Sequence, residues 1–71
     1  MNKKILDVSE LEAPYPLIKA IKEISSLKKG DILIFKHRMK PSKLIEEIIR
    51  RNLKYEIVKE NENDFEMKVF I

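Results

Sequence analysis

The chain has 71 residues, 44% of them apolar and 38% charged, with a formal net charge of +3, enough for one small core and too apolar for intrinsic disorder. No apolar run approaches the roughly 18 residues that span a bilayer, and the apolar run after Lys3 and Lys4 is cut at Asp7, too short for a signal-peptide core, so a single cytoplasmic domain over 1–71 is expected. There is no cysteine, which excludes disulfides, thiolate metal sites and sulfur transfer through a thiol of this chain.

Lys3 to Val8 reads as a first strand. Pro14 to Ser26 reads as a helix, with Pro14 at its first position, where a missing N–H costs nothing, and Leu17, Ile18, Ile21, Ile24 and Leu27 on one buried stripe. Lys28 to Asp31 holds the only glycine and turns the chain into a strand, Ile32 to His37, whose continuous apolar character up to Lys36 suits the middle of a sheet. Pro41 opens a second helix, to about Asn52, with Leu44, Ile45, Ile48 and Ile49 inward and Glu46/Arg50 and Glu47/Arg51 as i,i+4 pairs on the solvated side. A third strand, Lys54 to Glu60, meets a turn at Asn61-Glu62-Asn63-Asp64, and Phe65, Met67, Val69 and Ile71 then alternate with Glu66, Lys68 and Phe70 in the clearest period-2 strand of the chain.

The order βαβαββ leaves no room for a linker or a repeat. Neither helix has a second apolar stripe, so both are expected on one face of a four-stranded mixed sheet, giving an α/β (α+β) two-layer sandwich. Lys, Glu and Ile richness with a single glycine also suits a protein from a thermophile.

The stretch Leu6-Asp7-Val8-Ser9-Glu10-Leu11-Glu12-Ala13-Pro14-Tyr15-Pro16-Leu17 resembles the signature of the TusA-type (SirA-like) sulfur carriers: a Leu-Asp strand, a short loop, Cys-Pro-x-Pro and a helix. The resemblance implies the same βαβαββ fold across nearly the whole chain and a cysteine at the position held here by Ala13. In such carriers a helix N-terminus favours a thiolate or persulfide; alanine can neither ionise nor carry sulfur. Asp7, Ala13, Pro14 and Pro16 are thus a degenerate family motif. Ala13 to Pro16 is expected mainly to cap the helix, with Tyr15 and Leu17 offering the few free N–H groups, and Asp7 to order the loop.

Lys36-His37-Arg38-Met39-Lys40-Pro41-Ser42-Lys43 is the second conspicuous segment: four of its eight residues are Lys or Arg, with no acid among them. It ends at a helix N-terminus, where an anion is favoured. Tyr15, Lys36, His37, Arg38, Lys40 and Lys43 are the candidate residues for a small anionic ligand or a protein partner. The bland alternative is a solvated loop whose charge opposes Glu56, Glu60, Glu62, Asp64 and Glu66. His37, Arg38 and Pro41 also resemble a cysteine-free sister family of unknown function, in which a His-Arg pair and a Pro open the second helix; Lys40 stands where those relatives carry an acid.

No cofactor is expected. One histidine, no cysteine and the scattered Met1, Met39 and Met67 supply no metal site, and Ser42, His37 and Asp7 lack the glycine-rich oxyanion loop of a hydrolase. The expected function is therefore a non-catalytic docking or anion-binding module linked to sulfur or redox metabolism. The alternative is RNA binding through 36–43 with Lys19, Lys22, Lys54 and Lys59; the element order is also similar to that of the C-terminal domain of bacterial translation initiation factor three, a likeness of fold with little functional weight. Of its five aromatic residues, three lie at core-facing strand positions, which leaves few for base stacking. Lys and Glu on the last strands protect a sheet edge as readily as they would pair two copies, so the oligomeric state stays open.

Overall fold

The computed structural model describes residues 2–71; Met1, weighed above as a thioether, lies outside them. The elements are β1 (Lys3–Asp7), α1 (Tyr15–Ser26), β2 (Ile32–His37), α2 (Ser42–Arg50), β3 (Lys54–Asn61) and β4 (Asp64–Phe70), the expected order. The sheet order is β1-β2-β4-β3, with β1 parallel to β2 and β4 antiparallel to both β2 and β3. The apolar run Ile32 to Phe35 is thus central, as expected of a strand covered along its length.

Alternation places Leu33 and Phe35 of β2 and Phe65, Met67 and Val69 of β4 on one face, and these form one buried cluster with Ala20 and Ile24 of α1 and Leu44, Ile45 and Ile48 of α2. Both helices therefore cover the same side. The opposite face is bare: Ile5, Ile32, Ile34 and Phe70 lie among Lys3, Lys36, Lys54, Glu56, Glu66 and Lys68 by register. A bulge at Val58 interrupts the outer strand β3, a usual guard against edge-to-edge pairing.

The helix stripes differ from expectation at two positions. Ile18 is 54% exposed and Ile49 59% exposed, while Pro16 and Ala20 take the inward places on α1. The most fully covered residue of α1 is an alanine, Ala20, with no exposed surface, as a close approach of helix to sheet requires, and the larger Leu17 and Ile21 are only half-buried. Both prolines stand one place earlier than expected: Pro14 and Pro41 are N-caps with non-helical ψ of 10° and 81°, not first helical residues. On α2, Glu47 bonds both Arg50 and Arg51, so the expected Glu46/Arg50 pair is replaced by one shared carboxylate.

Three left-handed positions close the turns. Gly30 (φ 96°) follows α1, and Asn52 and Asn63 (φ 63° and 59°) end α2 and form the β3–β4 hairpin. At Asn52 the bonds Asn52 N–H to Ile49 and Leu53 N–H to Ile48 make a Schellman cap, with asparagine in the place usually held by glycine.

Asp31, only 8% exposed, ties two loops together. Its carboxylate accepts from the backbone N–H of Lys28 at 2.9 Å and of Asn2 at 3.1 Å, and these donors hold its pKa below the ordinary aspartate value. A depressed folded pKa means that this stabilisation is fully present above the unfolded value of about 3.9 and is lost as pH falls through the folded one. We expect the thermal midpoints of wild type and Asp31→Asn to differ most above pH 5 and to converge in acid; a gap that persisted at pH 2 would contradict this.

Candidate functional site

A pocket of about 540 Å³ opens where β1 and β2 run out and α1 and α2 begin, the carboxyl end of parallel strands where open α/β sheets hold ligands. Its apolar wall is built by Ala13, Pro14, Pro16, Leu17, Met39 and Leu44; His37, Lys40, Ser42 and Lys43 supply the polar groups. Two stretches that are far apart in the chain, the Ala13–Leu17 motif and the basic segment, thus face one space.

His37 ends β2 on the helix-covered face and is 92% buried, with 8% of its surface exposed. Its Nδ1 stands 3.1 Å from the Val8 carbonyl oxygen; a carbonyl only accepts, so Nδ1 carries the proton and Nε2 of the neutral ring is an acceptor. The ring meets Phe35 edge-on at 6.1 Å. Among the described residues Nε2 has no hydrogen-bond partner, and it is not a fully buried unpaired atom, of which Arg38 Nε is the one case. His37 is one of the residues that line the pocket.

At α1 the Tyr15 N–H is taken by the Glu12 carbonyl at 2.9 Å and Ile18 bonds Pro14. Tyr15 is therefore not a free donor, as the sequence suggested; Leu17 alone retains a first-turn N–H without a backbone acceptor among the described residues. Tyr15 is exposed and outside the pocket wall. The Ala13–Pro14 peptide is cis. At α2, Ser42 N–H bonds Lys40 and Ile45 N–H bonds Pro41, leaving the N–H groups of Lys43 and Leu44 directed at the pocket end of the helix, where the helix dipole is positive.

The basic segment does not form one surface. Lys36 alternates with the buried Phe35 and His37 and so points to the bare sheet face, 3.9 Å from Glu66. Arg38 folds onto the preceding loop, donating through Nη2 to the Leu11 carbonyl at 3.3 Å and lying 3.4 Å from Glu12; it positions the loop that carries Ala13. Lys40 is 3.9 Å from Glu60. These exposed pairs are weak, about 0–1 kcal/mol each. Lys43 is the one basic residue of the segment without an ion-pair partner among the described residues. Of the other lysines weighed for RNA, Lys59 lies 3.6 Å from Asp64, and Lys19 lines a separate hollow with Asp7 and Glu10.

Asp7 serves the loop. Its carboxylate accepts from the Ser9 hydroxyl at 2.6 Å and the Ser9 N–H at 3.0 Å, which holds its pKa below the ordinary range. With Val8 rather than Asp7 bonded to His37, Ser42, His37 and Asp7 assemble no relay. Among the described residues no three His, Cys, Asp or Glu side chains gather as a metal site, and no helix is long and apolar enough to cross a membrane.

The sequence pointed to His37, Lys40, Lys43, Ala13, Pro14 and Pro16 but not to Leu17, Met39 and Leu44 as the wall. The available signal was that both segments follow parallel strands directly. In comparison with known proteins, the family model described as Sulfurtransferase TusA matches residues 4–71. No curated protein and no solved structure matches.

Proposed function

We propose that this chain, which belongs to the TusA sulfurtransferase family, is a docking module that keeps a family-type pocket without a sulfur-carrying thiol. Members of the family act through partner proteins, and a sulfur-carrier-related role follows from membership. The position where the resemblance implies a cysteine is Ala13, and Ala13 lines the pocket together with His37, Lys40 and Lys43. That observation carries the proposal. Backbone donors, a helix dipole and lysine charge stabilise a thiolate wherever one is present; the same field without a thiol suits an anion brought in from outside, either a small one or the charged tip of a partner. The apolar wall gives such a group a dry side.

The test restores the sulfur. An Ala13→Cys variant is expected to react with iodoacetamide along a pH profile whose midpoint lies at least about one unit below the ordinary thiol value near 8.5, with the midpoint moving back up in Ala13→Cys/Lys43→Gln. An unshifted midpoint in the first variant would remove the ground for an anion-adapted pocket.

A further inference from the structure

We infer that the pocket binds a small oxyanion together with one proton, with His37 Nε2 as the proton-linked contact. This rests on the proposed anion-adapted pocket and adds to it the class of ligand and its coupling to pH. Nδ1–H is committed to the Val8 carbonyl, so a neutral His37 turns a lone pair toward the pocket. A fully ionised oxyanion is repelled by that lone pair and attracted by the Lys43 and Leu44 N–H groups, the Leu17 N–H and the Lys43 ammonium. The conflict ends when Nε2 gains a proton, or when the ligand brings one as dihydrogen phosphate does. Either way one proton enters with the anion.

The surroundings favour this coupling. From β1 the charged neighbour is Asp7, which feels the His37 charge; from the segment after β2 come Arg38, with Glu12 at 3.4 Å, and Lys40, with Glu60 at 3.9 Å, and from α2 Lys43, while Lys36 of β2 points to the other face of the sheet. Across the sheet His37 faces Phe65, and α1 contributes only Pro16 and Leu17 to the wall. No carboxylate lines the pocket; Asp7, the carboxylate that feels the His37 charge, is engaged by Ser9, and the anion supplies a counter-charge from inside the pocket.

Sulfate is the cleanest probe, since it does not titrate near neutrality and every proton taken up is the protein's. At constant ionic strength we expect its affinity, followed by calorimetry and by the His37 ring resonances, to fall as pH rises, at most about 10-fold per pH unit, the limiting slope of one linked proton. Calorimetry in two buffers of different protonation enthalpy should show uptake approaching one proton. Lys43→Gln is expected to weaken binding without changing that slope, and His37→Gln to flatten it. A wild-type affinity independent of pH, or no saturable binding of sulfate at pH 6.5, would overturn the inference. The thiol profile of Ala13→Cys/His37→Gln reads the pocket's field with no imidazole present, so a depressed thiol midpoint there beside a flat wild-type sulfate profile would sink this inference alone.

Discussion

Phe35→Ala is expected to lower the thermal midpoint of this domain by roughly 12–40 °C, taking about 3–5 kcal/mol for a buried Phe-to-Ala change and about 4–8 °C per kcal/mol for a domain of this size. Phe35 has no exposed surface, sits in the central strand and packs into the only buried apolar cluster among the described residues. A chain this short has roughly 4–10 kcal/mol of stability in total, so the variant loses a large share of it. The site is affected as well: Phe35 stands edge-on to His37, and without the ring the imidazole loses the wall that keeps Nδ1 on the Val8 carbonyl. Differential scanning calorimetry checks the first effect, and the His37 ring resonances the second. A midpoint shift under about 5 °C would mean that the core closes around the gap far better than such cores do.

Ala20→Leu carries the second large effect, with the opposite geometry. The added atoms have nowhere to go, because Ala20 is fully covered where α1 lies on the sheet; overpacking of this kind costs about 1–3 kcal/mol. It would also lift α1, whose first turn forms one wall of the pocket, so the sulfate affinity of the folded variant should drop alongside its stability. Ile18→Lys is the control. Ile18 is more than half exposed, and its replacement should stay within about 0.5 kcal/mol of wild type. Denaturant midpoints at equal slope distinguish the two; equal losses for both would place α1 differently on the sheet.

These two variants also show how far the sequence could be read. A helical stripe can be located by its period, but the period admits Leu17, Ile18 and Ile21 as readily as Ala20. Which edge of the stripe faces inward depends on how closely the helix approaches the sheet, and small residues mark close approach only after the partner surface is known. Ile49 failed for the same reason. The α2 cap and the acid pairing of Glu47 likewise depended on local geometry that spacing alone leaves degenerate, since i,i+3 and i,i+4 partners both compete for one carboxylate.

The candidate site divides in a similar way. Its residue types were visible as two motifs, the Ala13-Pro14-Tyr15-Pro16 stretch and the basic run 36–43. Their roles were not. Lys36 and His37 are neighbours in the chain and lie on opposite faces of the sheet, because successive strand residues alternate. Arg38, which by composition belongs to a basic patch, instead bonds the Leu11 carbonyl. Tyr15 has its N–H occupied and its ring outside the pocket.

By itself the sequence determined the element order, the central place of Ile32–Phe35, the outward and inward faces of Phe65–Ile71 and the loss of any thiol chemistry. Each of these rests on a local property: period, a continuous apolar run, turn residues, or the absence of an atom. The tertiary structure alone decided that Ala13 and Lys43 share one pocket, that Val8 fixes the proton on His37 and that the four cations of 36–43 do not lie on one surface. Those facts depend on which surfaces the parallel β1–β2 pairing and the helices crossing above it bring together, and long-range contacts of that kind leave no mark in the spacing of residues along the chain.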